Sequence, residues 1–385
     1  DRAGGGETFG VKRKPGRTVM SLVHWEEIMA FIGSKVWWSS TPALESDLQD
    51  PLLAGNPEYG AFMMGFDFHL TSQGPKLIEV NTNAGGLATA LSLTCCAEDM
   101  AWRRFVESVR EEYRLFAGPS AVLDSVGIVD ENVREQQLYP EMRHLAFILE
   151  KAGIRAVVAS PGDLAWRDGE LIFADDGRRI QFLYNRLTDF RLELPAHQHL
   201  RAAALARGAL VSPHPAVYAR TADKRHLVRM GALAGRPSVV VDAELLVSRP
   251  LDHWWARRKQ LVFKPVDGRA SLGVYRGDKI SKKTMQGLDP ERTIAQTRCA
   301  PPTSEDSSKY DIRVYTHGTT LLGIASRHFT GQVMEQRSEK SGFREALPKG
   351  VCCFAAVAYE QLSPEQRLEL DLPNLGTDQR INTTP

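Results

Sequence analysis

The chain has 385 residues, 43% of them hydrophobic and 25% charged, enough to bury a sizeable core in two or three sub-domains. Its 48 basic and 47 acidic residues leave a net charge of +1, and no basic run is interleaved with aromatics, which argues against a nucleic-acid partner. The longest uncharged stretch, "VNTNAGGLATALSLTCCA", is too polar for a membrane span, so small molecules are the expected partners. Five cysteines, including the adjacent pairs Cys95-Cys96 and Cys352-Cys353, fit neither a disulfide framework nor CxxC metal spacing, and a reducing cytoplasm is the expected location. The sequence begins at Asp1 rather than Met, which leaves a further upstream piece open.

In chain order, residues 1–116 hold a Gly-rich start, a helical "HWEEIMAFIG" and two alternating runs, "AFMMGFDFHL" and "PKLIEVN". The turn "TSQG" joins these runs into an expected hairpin, and a long helical stretch ends the region at "EEYRLFA". Residues 117–215 alternate strand-like and helical segments ("VGIVD", "YPEMRHLAFILEKAG", "IRAVVAS", "IQFLYNR", "HLRAAALARG", "ALVSPHP"), a βαβ pattern that predicts a parallel sheet. Residues 216–360 open on "ARTADKRHLVRMGALAG", pass through "LVFKPVDGRASLGVYRG" and reach a second hairpin, "YDIRVYTHG" with "TTLLGIASRHF". A tail occupies 361–385. The whole reads as an α/β fold with a βαβ domain inserted between two other regions.

The first hairpin carries chemistry. Asp67 on one strand and Glu79 with Asn81 on the other come to one face across a short turn. Three oxygen donors, two of them anionic, suit Mg²⁺, and the lack of accompanying His or Cys argues against zinc. Gly85 and Gly86 follow and permit close backbone approach; a solvated polar face is the alternative reading. Further on, a strand delivers Lys264 to Pro265 and a loop with Gly268 and Gly273, an arrangement that covers phosphates, although the order is not that of a Walker A loop. A surface turn is the alternative there. Lys224 starts a helix, and Arg313, Arg327 and Arg337 sit at or beyond strand positions where they converge on anionic oxygens or simply face solvent. Ten scattered histidines show no metal spacing; His214, just upstream of Lys224, is the one singled out.

These residues carry a resemblance. "GFDFHLTSQGPKLIEVNTNAGG" resembles the closing hairpin of the ATP-grasp superfamily, and "ADKRHL", "FKPVDGRASLGV", "TIAQTRCAPP" and "DIRVY…ASRHF" are similar to its helix-start lysine, K-P glycine loop, adenine hinge and arginine-bearing strands. The E-x-N strand comes first here rather than last, so the chain resembles a circularly permuted member, similar to eukaryotic-type glutathione synthetase over roughly residues 60 to 345. The resemblance implies an ATP-dependent carboxylate–amine ligase that works through an acyl phosphate on a small carboxylate and amine, with ATP and Mg²⁺. Asp67, Glu79 and Asn81 would hold Mg²⁺; Lys224, Lys264, Gly268, Ser271 and Gly273 would contact phosphates; and Ala295 and Gln296 would lie at the adenine hinge. Arg313, Arg327, Arg337 and Lys264 would act in catalysis, and Arg186, Asn83, Gly85 and Gly86 would meet substrate. The glycine loop departs from the glutathione synthetase pattern, with Asp267 at most a shifted substitute for its glutamate, which puts glutathione itself in doubt. A nucleotide-binding pseudoenzyme or partner subunit and a small-molecule phosphotransferase are the alternatives, and a homodimer is left open.

Overall fold

The structure is a computed structural model and describes residues 7–9, 11–39, 44–55, 57–93, 98–268, 272–331 and 341–349. Ser271, Arg337 and the two adjacent cysteine pairs lie outside the described residues. The first expected hairpin forms from the strands Met64–Thr71 and Gly74–Asn81, with Asp67 opposite Glu79 and Gly65 opposite Asn81. Side chains alternate across it. Phe66 and Phe68 are fully buried and meet Phe31 edge-on, at 6.4 and 6.3 Å, on the helix Leu22–Gly33. Gly65, Asp67 and His69 take the opposite face.

That hairpin forms one end of a seven-stranded sheet in the order Glu7–Thr8, Val11–Met20, Gly342–Pro348, Thr320–Phe329, Lys309–His317, Met64–Thr71, Gly74–Asn81. Two features of this sheet join distant parts of the chain. The basic stretch at Val11–Met20 is a strand, paired in parallel with Gly342–Pro348. Residues 216–360 supply strands to two sheets, because the hairpin Lys309–His317 with Thr320–Phe329 joins the large one beside Met64–Thr71.

The βαβ stretch forms a four-stranded parallel sheet in the order Leu210–Ser212, Phe182–Asn185, Ser125–Val129, Arg155–Ala159, covered by the helix Tyr139–Lys151. Its central strand Phe182–Asn185 is buried throughout and ends on Arg186. A small antiparallel sheet, Ala243–Leu245, Thr293–Thr297, Leu261–Pro265 and Tyr275–Arg276, closes over the large sheet's hairpin. Leu261 and Phe263 pack with Trp254 and Met285 in its core, which turns Val262 and Lys264 the other way. The Leu77 N–H donates to the Val239 carbonyl at 2.7 Å and seams the two parts together. Among the described residues no helix is long and apolar enough to cross a membrane.

Candidate functional site

Between the large sheet's hairpin and the small sheet lies a cleft of about 360 Å³. Six of its lining residues are cationic (Lys224, Lys264, Arg276, Arg298, Lys309, Arg327) and three are carboxylates (Asp67, Glu79, Asp311). Such an excess of positive charge in a walled space attracts a polyanion. Apolar wall is supplied by Ile78, Val262, Val274, Ala300 and Pro301, giving the mixed lining of a ligand site.

The hairpin contains a β-bulge that shapes the cleft. Asp67 pairs with Glu79 but Phe68 pairs with Leu77, so Ile78 has no partner in the ladder. Its carbonyl oxygen accepts from Lys264 Nζ at 3.1 Å and from Gln296 Nε2 at 3.4 Å, both from the small sheet. Burial pushes the Lys264 ammonium down to about 8, against the opposing pull of Glu79. Lys224 donates to the Gly268 carbonyl at 2.9 Å and lies 3.8 Å from Glu79 Oε2. Gly268 is tight because a Cβ there would come within 2.4 Å of Pro265.

Behind Glu79 is a ladder of buried charges. Arg313, directly opposite Asp67, donates from Nε and Nη2 to its two oxygens, at 2.6 Å each. Arg327 reaches Asp67 Oδ2 at 2.8 Å and forks onto Asp311 at 2.7 Å for both bonds. Burial alone would raise the Asp67 carboxyl, but the two guanidiniums outweigh it and hold the group below its ordinary range. The expectation of Asp67 as a cation ligand is therefore revised: both its oxygens are committed to arginine, and it anchors Arg327 instead.

The structure brings Glu79, Asn81, Lys224, Lys264, Gly268, Gln296 and Arg327 to the cleft, with Asp67 and Arg313 at its back. Other expected positions fall elsewhere. Ala295 points into the small sheet's core, because alternation gives the cleft to Gln296, and the wall continues through Thr297, Arg298 and Cys299. Gly273 packs on Pro265. Arg186 is buried with its Nη1 3.0 Å from the Tyr184 hydroxyl and faces the charges of Glu141 and Asp130. The Gly86 N–H donates to Glu141 at 2.7 Å and the Gly85 carbonyl accepts from the Tyr315 hydroxyl at 3.0 Å, whereas Arg186 Nε and Asn83 Oδ1 are buried without a hydrogen-bond partner. Asn83 lines a separate void of about 10 Å³ with Asn185, Phe190 and Tyr218, room for a single water. His214 caps the helix Pro215–Thr221 by accepting from the Ala216 N–H, and Asp267 pairs with Arg292.

Sequence reasoning missed His69, Arg276, Arg298, Lys309 and Asp311 as cleft residues. The signal for two of them was present: His69 follows Asp67 by two on its strand, and Asp311 precedes Arg313 by two, so each shares a face with a residue already chosen.

Among the solved structures that share the fold are two synthetase-like proteins. One is a glutathione synthetase-like effector from Globodera pallida in its apo form, with TM-score 0.55 at 11% identity over 85% of this chain and 88% of that one. The other is a candidate gamma-glutamylcysteine synthetase from Methylobacillus flagellatus KT, with TM-score 0.53 at 12% identity over 83% and 85%. No protein-family model matches the chain, and no curated protein matches it in sequence.

Proposed function

We propose that this chain is an ATP-dependent carboxylate–amine ligase of circularly permuted ATP-grasp type, acting through an acyl phosphate. One observation carries the reading. Lysines from two separate segments, Lys224 and Lys264, stand across one cleft from Glu79 and Asn81, with Arg327 alongside. The names of the two fold neighbours favour the ligase class without specifying a substrate.

The residues present fit a magnesium ion. Glu79 is 29% exposed at its side chain, and the Asn81 amide spends its N–H groups on Asp67 (3.1 Å) and Glu79 (3.4 Å), which leaves its Oδ1 for a cation. These two would hold Mg²⁺, whose remaining positions go to water and phosphate oxygens. When bound, the ion supplies neutralisation of phosphate charge. Lys224 and Lys264 bind the phosphates, and Arg327, fixed by Asp67 and Asp311, meets charge that develops on the transferred group. A substrate carboxylate oxygen bonds to the γ-phosphorus as the β–γ bridging bond breaks and ADP leaves. An amine then attacks the acyl carbon, expels phosphate and loses a proton. The walls of the cleft keep water from the mixed anhydride.

A second reading, nucleotide binding without turnover, is favoured by one observation: at the expected acceptor end Arg186 Nη1, the Gly85 carbonyl and the Gly86 N–H already have partners within the chain, although Arg186 Nε has none. Phosphate release screened over amino acids and small peptides separates the two. The ligase reading expects release that needs Mg²⁺ and falls at least about tenfold in Glu79→Gln and in Lys264→Ala, each of which deletes a charged contact. Tight ATP binding with no release across the panel favours the second reading, and variants as active as the parent would overturn the site.

A further inference from the structure

The void of about 10 Å³ beside Asn83 has room for one heavy atom, and none of the residues that line it carries a charge. Asn83 stands two residues beyond Asn81, and its amide Nδ2 donates to the backbone carbonyls of Arg186 and Leu187. Its Oδ1 is therefore fixed as an acceptor, and it is buried without a donor. The hydroxyl of Tyr218, a residue 4% exposed, is also buried without a partner. Burial, together with the charges of Asp223 and Asp267, pushes that hydroxyl up, so it stays protonated and neutral. Asp223 adjoins Lys224 and Asp267 adjoins Gly268, which sets Tyr218 near the segments that carry the phosphate-binding groups. Phe190 stacks on the Tyr218 ring at 4.1 Å and, with Leu187 and Pro213, gives the void apolar wall.

We propose that this void is the acceptor's seat and that the amine it takes is ammonia, which makes the chain a carboxylate–ammonia ligase that forms a primary amide. The assignment rests on the ligase reading and names its amine. Asn83 Oδ1 and Tyr218 Oη can each accept an N–H, so the nitrogen lone pair is left unspent for attack. A lining without carboxylates gives ammonium no counter-charge and favours the uncharged molecule, which is the nucleophilic form. A second heavy atom on the nitrogen exceeds the space. In the step, nitrogen bonds to the acyl carbon, the bond from that carbon to the phosphate oxygen breaks with its electron pair on oxygen, and one N–H proton passes to the departing phosphate.

The test is phosphate release from ATP with Mg²⁺ by the full chain, with succinate, glutamate and γ-glutamylcysteine in turn as the carboxylate. Ammonium chloride, methylamine and glycine serve as acceptors, each read against a blank without acceptor. Ammonium is expected to drive release at least about tenfold faster than methylamine or glycine, to do so increasingly as pH rises and the uncharged fraction grows, and to leave a primary amide seen by mass spectrometry. Tyr218→Phe is expected to raise the ammonium concentration for half-maximal release about three- to tenfold, the worth of one hydrogen bond, and Phe190→Ala to admit methylamine. The acceptor series is run on the parent, so it decides the matter even where a variant fails to fold. Release driven equally by methylamine or glycine overturns the ammonia assignment and leaves the ligase reading standing. Release indifferent to every acceptor means that water alone fills the seat, and it overturns the assignment too. No release with any pair overturns both.

Discussion

Asp67 is 1% exposed and holds two guanidiniums. Its replacement by Asn keeps the shape and removes the charge, leaving Arg313 buried without a full counter-charge. Loss of one member of a buried pair typically costs about 3–5 kcal/mol. Denaturant unfolding of Asp67→Asn is expected to show a loss of that size with and without Mg²⁺; a loss confined to the Mg²⁺-loaded protein would restore Asp67 as a ligand. The histidines make a second residue-scale prediction. His214, His226 and His328 are buried, and burial pushes each down to about 4 from an ordinary 6.5. Between those values the unfolded chain binds protons that the fold refuses, so stability falls as pH drops from 6.5 toward 4. His317 acts oppositely: burial lowers its affinity for a proton, but the Glu112 contact outweighs this and raises it. Burial also pushes His69 and His199 down, so with five histidines against one the melting temperature should decline across that acid window, and a flat profile would contradict the burial. At this scale the sequence was informative about which residues carry charge and silent about their partners. The Asp67 ligand reading failed for that reason, since the strand order that seats Arg313 opposite it depends on contacts 246 residues apart.

Among the elements, the hairpins were legible because alternation and turn residues are local signals, and the Met64–Asn81 register put Asp67, Glu79 and Asn81 on one face as expected. The bulge at Ile78 was not, since an extra residue in a ladder is visible once both strands are aligned. Gly86 shows how an element's start constrains one position. It precedes the helix Leu87–Ser92 at φ +96°, and a Cβ there would lie 2.5 Å from Phe343 and 3.0 Å from the Tyr315 hydroxyl. Gly86→Ala is expected to cost about 1–2 kcal/mol from the left-handed backbone alone, and more from the overlap. Thermal unfolding checks it: a melting temperature equal to the parent's would mean that the turn adjusts freely.

Across the whole molecule, one sheet draws strands from near both extremes of the described chain. Val11–Met20 lies beside Gly342–Pro348, tied by Arg17 Nε to Glu345 at 2.7 Å. Nothing local announces that strand, for "KRKPGR" reads as a charged turn, and its pairing comes from a segment over 300 residues away. A chain lacking residues 1–20 would bare the edge of Gly342–Pro348, and open edges recruit other chains. Light scattering should show association of that truncated form, whereas a monodisperse product with the parent's melting temperature would deny the strand its covering role.

The ammonium of Lys264 holds a backbone oxygen on the bulge with one of its three protons, so the same group that fastens the small sheet to the hairpin keeps two donors for an anion in the cleft.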